Sequence, residues 1–324
     1  MKTIIRILVI CLSGLNFCLA QEIQVHDPVM ISEGGKYYLF CTGIGISTWT
    51  SDDLVNWKRG EPVFEKAPEW AVTSIPGFRG HIWAPDISLH NNKYYLFYSV
   101  SAFGKNTSCI GLATNTTLDP SSPDYKWVDH GKIIQSVPNR DFWNAIDPNL
   151  IVDENNDGWL SFGSFWGGIK MVKMNQDLMA ADTNQVWYTL SKRQRTYELD
   201  DNDPGDGAVE APFLFRKGDY YYLFVSFDYC CRGVKSNYNV IVGRSATVTG
   251  PYLDKNGIIL TAGGGTLLMA GNEKWSGVGH NGICSANGKD YIVFHGYDVS
   301  DNGKSKLLIR EIKWTDDHWP EISL

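Results

Sequence analysis

The sequence predicts an all-β protein, a five-bladed β-propeller with four-stranded blades around a central channel. Three observations carry this. One strand motif recurs five times: Gly35-Lys-Tyr-Tyr-Leu-Phe40, Asn92-Lys-Tyr-Tyr-Leu-Phe-Tyr98, Asp157-Gly-Trp-Leu-Ser-Phe-Gly163, Gly218-Asp-Tyr-Tyr-Tyr-Leu-Phe-Val225 and Gly288-Lys-Asp-Tyr-Ile-Val-Phe294. A short segment with one polar residue precedes each copy, and these residues (Asp27, Asp86, Asp147, Glu210, His280) follow one another at steps of 59, 61, 63 and 70. Each step is long enough for four short strands with loops, and long helical patterns are absent. Four-stranded units repeated radially make a propeller.

The elements follow in order. Each copy of the motif opens at a turn signal and runs into β-branched and aromatic residues, so each reads as a hairpin arm. The preceding segments are His26-Asp27-Pro28, Ala84-Pro85-Asp86, Ile146-Asp147-Pro148, Glu210-Ala211-Pro212 and Gly279-His280-Asn281. Proline is tolerated at the start of a strand, where its missing N–H does no harm. Placed as the innermost strand of each blade, these segments aim all five polar residues at one axis. Residues 21–26 leave little chain for a closing strand, so ring closure is expected to rest on side-chain packing more than on shared hydrogen bonds. Gly263-Gly264-Gly265 lacks the lysine and hydroxyl residue of a phosphate loop and reads as a turn. Arg193 to Gly207, rich in acids, reads as a surface loop before the fourth inner strand.

Residues 1–20 read as a signal peptide: Lys2 and Arg6 are basic, Ile7 to Leu12 begin an apolar core, and Ala20 is a small final residue. Residues 21–324 are then one catalytic domain, secreted or periplasmic. No later stretch looks like a membrane span. The net charge of −7 becomes −9 once Lys2 and Arg6 are removed. That argues against nucleic acid or an anionic membrane as partner and suits a neutral ligand. Aromatic residues make up 13% of the chain, with 12 Trp, as carbohydrate stacking on flat rings would use, although most such rings fill β-cores. Cys41, Cys109, Cys230, Cys231 and Cys284 remain after processing, with no zinc spacing. Adjacent Cys230 and Cys231 are a vicinal disulfide or two thiols. Asn106-Thr107-Ser108 and Asn115-Thr116-Thr117 are formal glycosylation sequons.

Converging acids fit glycosidic bond hydrolysis, which needs a proton donor and a way to deliver a nucleophile. Carboxyl groups roughly 6.5–9.5 Å apart leave room for a water and invert the anomeric centre. A single Asp-Pro at a strand start is usually a turn residue. Several acids recurring in phase are not needed by a scaffold, because unpaired buried charge is costly.

Longer motifs sharpen this. Besides His26-Asp27-Pro28, they are Trp83-Ala-Pro-Asp-Ile87, Tyr98-Ser-Val-Ser-Ala-Phe-Gly104, Asn106-Thr-Ser108, Asn144-Ala-Ile-Asp-Pro-Asn149, Ser161-Phe-Gly-Ser-Phe-Trp-Gly-Gly168, Glu210-Ala-Pro-Phe213, Gly279-His-Asn-Gly282 and Ser51-Asp-Asp-Leu-Val-Asn-Trp57. With these, residues 25 to 314 resemble the family 43 glycoside hydrolases, most of all their endo-1,5-α-L-arabinanases. The resemblance implies an inverting hydrolase of arabinan or arabino-oligosaccharides, with Asp27 as general base, Glu210 as general acid and Asp147 holding the proton on Glu210. It implies sugar subsites at Asp27, Gly104, Asn144, Ala145, Ile146, Asp147, Ser164, Phe165 and Trp166, with Phe103 and Trp83 as aromatic contacts. Asp86 has no catalytic counterpart there. The resemblance also implies a channel cation near His280, calcium held mostly by waters, and no organic cofactor. A monomer is expected. Competing readings are an exo-acting arabinosidase or β-xylosidase on the same scaffold, and a carbohydrate-binding propeller without catalysis.

Overall fold

The computed structural model describes residues 21–184 and 186–324, and the signal-peptide reading lies outside the described residues. Five antiparallel sheets form the blades. Blade 1 runs Val29–Glu33, Lys36–Cys41, Ser47–Ser51 and Lys58–Arg59. Blade 2 runs His81–His90, Lys93–Val100, Ser108–Asn115 and Val128–Ser136, and Gly43–Ile44 adds a fifth strand beside His81–His90. Blade 3 is Asn149–Val152, Gly158–Phe162, Ile169–Lys173 and Tyr188–Ser191. Blade 4 is Val209–Lys217, Tyr220–Phe227, Asn239–Ser245 and Thr266–Met269. Blade 5 has three strands of its own, Trp275–Ala286, Lys289–Asp298 and Lys304–Glu311. No helix among the described residues is long and apolar enough to cross a membrane.

The recurring motif is the second strand of each blade, and its composition follows from its place. Each blade is covered on both faces by neighbours, so successive side chains are buried on opposite sides. Tyr38 and Phe40 pack with Tyr94, Leu96 and Tyr98 between blades 1 and 2. Tyr37, Leu39 and Cys41 pack with Cys284 and Val293 between blades 5 and 1. Tyr95 and Phe97 meet Leu160 and Phe162; Ile169 and Met171 meet Leu223 and Val225; Tyr222 and Phe224 meet Ile292 and Phe294. The core is therefore five wedges, one at every junction.

The ring is closed mostly by packing, as expected, with Ile23 and Val25 buried between blades 5 and 1, and a short backbone bridge adds to it. Gln24 bridges Lys306, and Leu307 N–H donates to Ile23 O at 3.0 Å. Two or three residues suffice because blade 5 already has three strands. After Glu311 the chain leaves blade 5 and forms a small hairpin, Lys313–Trp314 with Pro320–Glu321, so the outer position is open to the N-terminal segment.

Each inner strand has a residue in the left-handed region, just before it in blades 1 and 3 and at a bulge within it in blades 2, 4 and 5: Asp27 (φ 50°), Ala84 (44°), Asp147 (57°), Ala211 (53°) and His280 (52°). The first four precede proline. This kink turns the N–H away from its own ladder toward the neighbouring blade. The acceptors are His295 Nδ1 for Asp27 (3.1 Å), Thr42 Oγ1 for Ala84 (2.9 Å), Ser99 Oγ for Asp147 (2.9 Å), Asp147 Oδ2 for Ala211 (3.1 Å) and Ser226 Oγ for His280 (2.9 Å). The repeat's true phase is thus Asp27, Ala84, Asp147, Ala211, His280. Glu210 sits one residue before its kink, and Asp86 sits two beyond.

Asp86 therefore does not face the axis. Its carboxylate accepts from Asn149 Nδ2 (3.1 Å) and Leu150 N–H (2.9 Å) of blade 3, and Asn149 Oδ1 accepts from Leu214 N–H (2.8 Å) of blade 4. Asp86 ties blades together, as its lack of a catalytic counterpart suggests.

Candidate active site

Asp27 lies at the hub under a clamp of donors. Thr42 Oγ1 donates to Oδ2 at 2.6 Å; His26 Nδ1 lies 2.8 Å and His280 Nδ1 3.1 Å from Oδ1. His295 stacks on His26 with ring centroids 4.0 Å apart and places Nδ1 3.8 Å from the same oxygen. Burial alone would raise this carboxyl, but His26 and then His280 outweigh it and hold Asp27 well below the ordinary carboxylate range. The same attraction works in reverse. Burial disfavours the His26 cation, yet Asp27 and Glu210 raise its pKa.

Glu210 is clamped by hydroxyls. Ser164 Oγ donates to Oε2 and Tyr238 OH to Oε1, each at 2.7 Å. Tyr238 reaches the hub because Gly279 has no side chain: a Cβ there would lie 2.3 Å from the tyrosine ring. The Tyr238 ring stacks on His295 at 5.9 Å, so one ring joins the surroundings of Asp27 to those of Glu210. Burial raises the Glu210 pKa, the two hydroxyls oppose it by favouring the carboxylate, and Asp27 adds to the rise. Asp147 is raised well above its ordinary value by burial, then by Glu210 and Asp27. The hub thus holds one carboxylate pushed toward its ionised form and a pair pushed toward their acid forms, the kind of contrast that lets one site separate acid and base roles.

The predicted subsite residues divide. Ser164 touches Glu210. Asn144 is buried and accepts Ser108 Oγ at 2.6 Å; Ala145 N–H donates to Ser136 Oγ at 3.0 Å; Ile146 O accepts Gly163 N–H at 2.8 Å. These three fix the approach to Asp147. Phe165 (φ 56°) lies 5.9 Å from the Tyr229 ring. Phe103 is 80% exposed, and Gly104 (φ +67°) has open space around it. Trp83 is half-buried, with Nε1 donating to His81 Nδ1 at 2.9 Å. Trp166, expected to present its ring at the channel mouth, is only 4% exposed. Its Nε1 donates to Asp201 O (2.9 Å) and its N–H to Pro204 O (3.1 Å), so the ring is roofed by the 193–207 loop.

A match to the family described as "Glycosyl hydrolases family 43" spans residues 21–320. The chain is 51% identical to "Extracellular exo-alpha-(1->5)-L-arabinofuranosidase ArbA" of Cellvibrio japonicus (strain Ueda107), over 94% of this chain and 88% of that one. It is 41% identical to "Extracellular endo-alpha-(1->5)-L-arabinanase 1" of Bacillus subtilis (strain 168), over 91% and 87%. Among solved structures it superposes on the Cellvibrio cellulosa alpha-L-arabinanase complexed with arabinohexaose, with TM-score 0.91 and 50% identity, covering 94% of this chain and 96% of that one. The chain belongs to glycosyl hydrolases family 43.

In this family 43 hydrolase several hub residues escaped the sequence reading. His26 was visible only as part of its motif, and Thr42, Tyr238, His295 and Tyr297 carried no signal. Thr42, Ser99, Ser226 and His295 share a placement visible only once the blades are known, a polar residue in the last residues of a second strand or just past it, aimed at the next blade's kink. Cys230 and Cys231 form a disulfide, and Cys41, Cys109 and Cys284 are free and buried. Neither sequon is an acceptor: Asn106 is buried and donates to Asp141 O (2.8 Å), and Asn115 is buried with Oδ1 accepting from Thr116 and Lys126 N–H.

For the channel cation, His280 offers one nitrogen. Nδ1 faces Asp27, Nε2 has no hydrogen-bond partner among the described residues, and no described cluster of three His, Cys, Asp or Glu donors includes it. The residues present fit a cation carried by water with one imidazole ligand; they do not build an oxygen cage for calcium.

Proposed function

We propose that this enzyme hydrolyses α-1,5-linked L-arabinofuranosyl bonds of arabinan with inversion. The observation that carries it is the opposed state of the hub carboxyls, Asp27 held ionised and Glu210 held toward its acid form. Water, its proton taken by Asp27, attacks the anomeric carbon. The C–O bond to the leaving sugar breaks, and Glu210 gives its proton to the departing oxygen. Asp147 keeps that proton on Glu210 by like-charge opposition. Both relatives are named for α-1,5-linked arabinan chemistry and as extracellular, which supports the substrate class and, with the apolar leader read in residues 1–20, export. When bound beside His280, a water-carried cation supplies positive field to the hub.

Internal cleavage is the first reading. End-directed cleavage is the second, favoured by the name of the 51%-identical relative and by the 193–207 loop. Arg195 gathers the carbonyls of Leu199 and Asp203, at 3.1 and 2.8 Å, and Asn202 reaches Asn139 at 2.6 Å, which fastens the loop over Trp166 as a wall at one side of the mouth.

Linear arabinan digested by wild type, Asp27→Asn and Glu210→Gln tests both points. The variants are expected to lose at least a hundred-fold in turnover, the scale of general acid–base contributions. A ladder of products means internal cleavage, and one small product from the start means end-directed cleavage. Equal sugar release from wild type and Glu210→Gln would remove the acid role.

A further inference from the structure

The Cys230–Cys231 disulfide lies outside the reaction just described, yet it is joined to Asp27 through two side chains. Cys231 N–H donates to Tyr297 OH at 2.8 Å; Tyr297 OH lies 2.8 Å from His26 Nε2; and His26 Nδ1 lies 2.8 Å from Asp27 Oδ1. The direction of every proton in this chain can be fixed by counting lone pairs.

His295 Nδ1 accepts the Asp27 N–H at 3.1 Å, so a neutral His295 carries its proton on Nε2. That Nε2 lies 3.2 Å from Tyr297 OH and therefore donates to it. The tyrosine oxygen then receives two donors, Cys231 N–H and His295 Nε2–H, which fill its lone pairs. Its own O–H must point outward to His26 Nε2. Among the described residues the other acceptor on hand is Cys231 Sγ at 3.9 Å, and burial of Tyr297 keeps the phenol protonated. In the neutral ring His26 Nε2 is thus an acceptor, and the proton sits on Nδ1, aimed at Asp27. A proton on Nε2 would confront a hydroxyl with no lone pair left, and its other neighbour, Cys231 Sγ at 3.7 Å, is a weak acceptor.

We propose that the vicinal disulfide, with Tyr297 and His26, is a positioning device for the general base: it holds the Cys231 N–H on Tyr297 and so locks His26 in the Nδ1–H tautomer that orients Asp27. Adjacent cysteines joined in one small ring leave the Cys231 backbone little freedom. Cys231 adopts φ 65°, unusual for a non-glycine residue, and this is the residue whose N–H meets the tyrosine. With two free thiols the segment can relax toward ordinary angles, the N–H leaves Tyr297, and the hydroxyl is free to turn. His26 then samples both tautomers, and Asp27 keeps only Thr42 and His280 as steady donors. Tyr297 and His26 touch no reacting atom; they act through Asp27. Substrate contacts are untouched, so the effect belongs in kcat and not in KM.

This rests on the assignment of Asp27 as base, and the test separates the two. The enzyme is labelled with nitrogen-15 in its histidines, and His26 is assigned by the loss of its signals in His26→Gln. Long-range proton–nitrogen spectra then report its tautomer, and kcat and KM are measured on linear arabinan. Both are taken for the oxidised wild type, for wild type reduced by a water-soluble phosphine (each S–S becomes two thiols while water converts the phosphine to its oxide), and for Tyr297→Phe in both states. The Nδ1–H form is expected in the oxidised wild type, and a mixture after reduction. Reduction is expected to lower kcat about ten-fold, the scale of one well-placed hydrogen bond, with KM unchanged. Tyr297→Phe is expected to show the same loss and no further response to reduction. An Nε2–H His26 in the oxidised wild type, an unchanged tautomer or kcat on reduction, or an equal loss in Tyr297→Phe on reduction would each overturn the proposal. Absence of turnover in untreated wild type would instead count against arabinan as substrate, and the tautomer would still decide this proposal.

Discussion

Burial would push every hub carboxyl upward, so the charge of each depends on what touches it. Asp27 meets His26, His280 and a threonine hydroxyl and is held toward its ionised form. Glu210 is raised by burial, opposed by two hydroxyls and helped by the charge of Asp27, and Asp147 is raised further, by burial and then by Glu210. In the proposed mechanism two substitutions should therefore move the alkaline limb of the pH–rate profile in opposite directions, since there that limb falls where Glu210 loses its proton. Asp147→Asn removes a like charge, lowers the Glu210 pKa and brings the limb to lower pH. Tyr238→Phe removes a hydrogen bond that favours the carboxylate, raises the pKa and takes the limb to higher pH. Profiles of kcat/KM for the two variants check this, and shifts of the same sign would contradict it. Sequence reasoning brought Asp27, Asp147 and Glu210 to one axis, because they lie close to the repeat's phase. It did not reach Tyr238 or His295, whose contacts depend on blades remote in sequence.

At the scale of the element, the left-handed residue of each inner strand sets what the hub displays. The kink hands its N–H to the preceding blade and decides whether a side chain there points inward. Asp86, two residues beyond its kink, shows the consequence. Its carboxyl is buried between blades 2 and 3 and pushed up to about 7 by burial, against an ordinary value of 3.8. The folded protein therefore holds a proton that the unfolded chain releases between these values. The stability this group contributes is full below pH 4 and is lost as pH rises through 7. At about 1.4 kcal/mol per unit the swing is on the order of 4 kcal/mol. Asp86→Asn keeps an oxygen for Leu150 N–H and removes the titration. Its melting temperature should vary less between pH 4 and pH 7 than that of wild type, and parallel curves would contradict this. The sequence alone could not make the distinction, because Ala84-Pro85-Asp86 and Ile146-Asp147-Pro148 differ only in which side of the proline carries the acid.

The whole molecule is a ring whose closure and chemistry share one segment. Ile23 and Val25 are each 3% exposed, wedged between blades 5 and 1, and His26-Asp27 follow at once. Ile23→Ala should lower unfolding free energy by about 2–4 kcal/mol, as for other large-to-small core changes. Denaturant titration checks this, and a loss under about 0.5 kcal/mol would mean that closure does not depend on the segment. Blade count, the paired second strands and the convergence of acids were all legible, since they follow from a repeat. The short closing bridge was not, because two residues pairing across the whole chain leave no pattern. The central claim is that the hub delivers water to one face of the sugar while Glu210 protonates the other side. Proton NMR of arabino-oligosaccharide hydrolysis reads this directly. The β anomer is expected as the first product, appearing before mutarotation supplies the α form, whereas an α anomer formed first would contradict the claim.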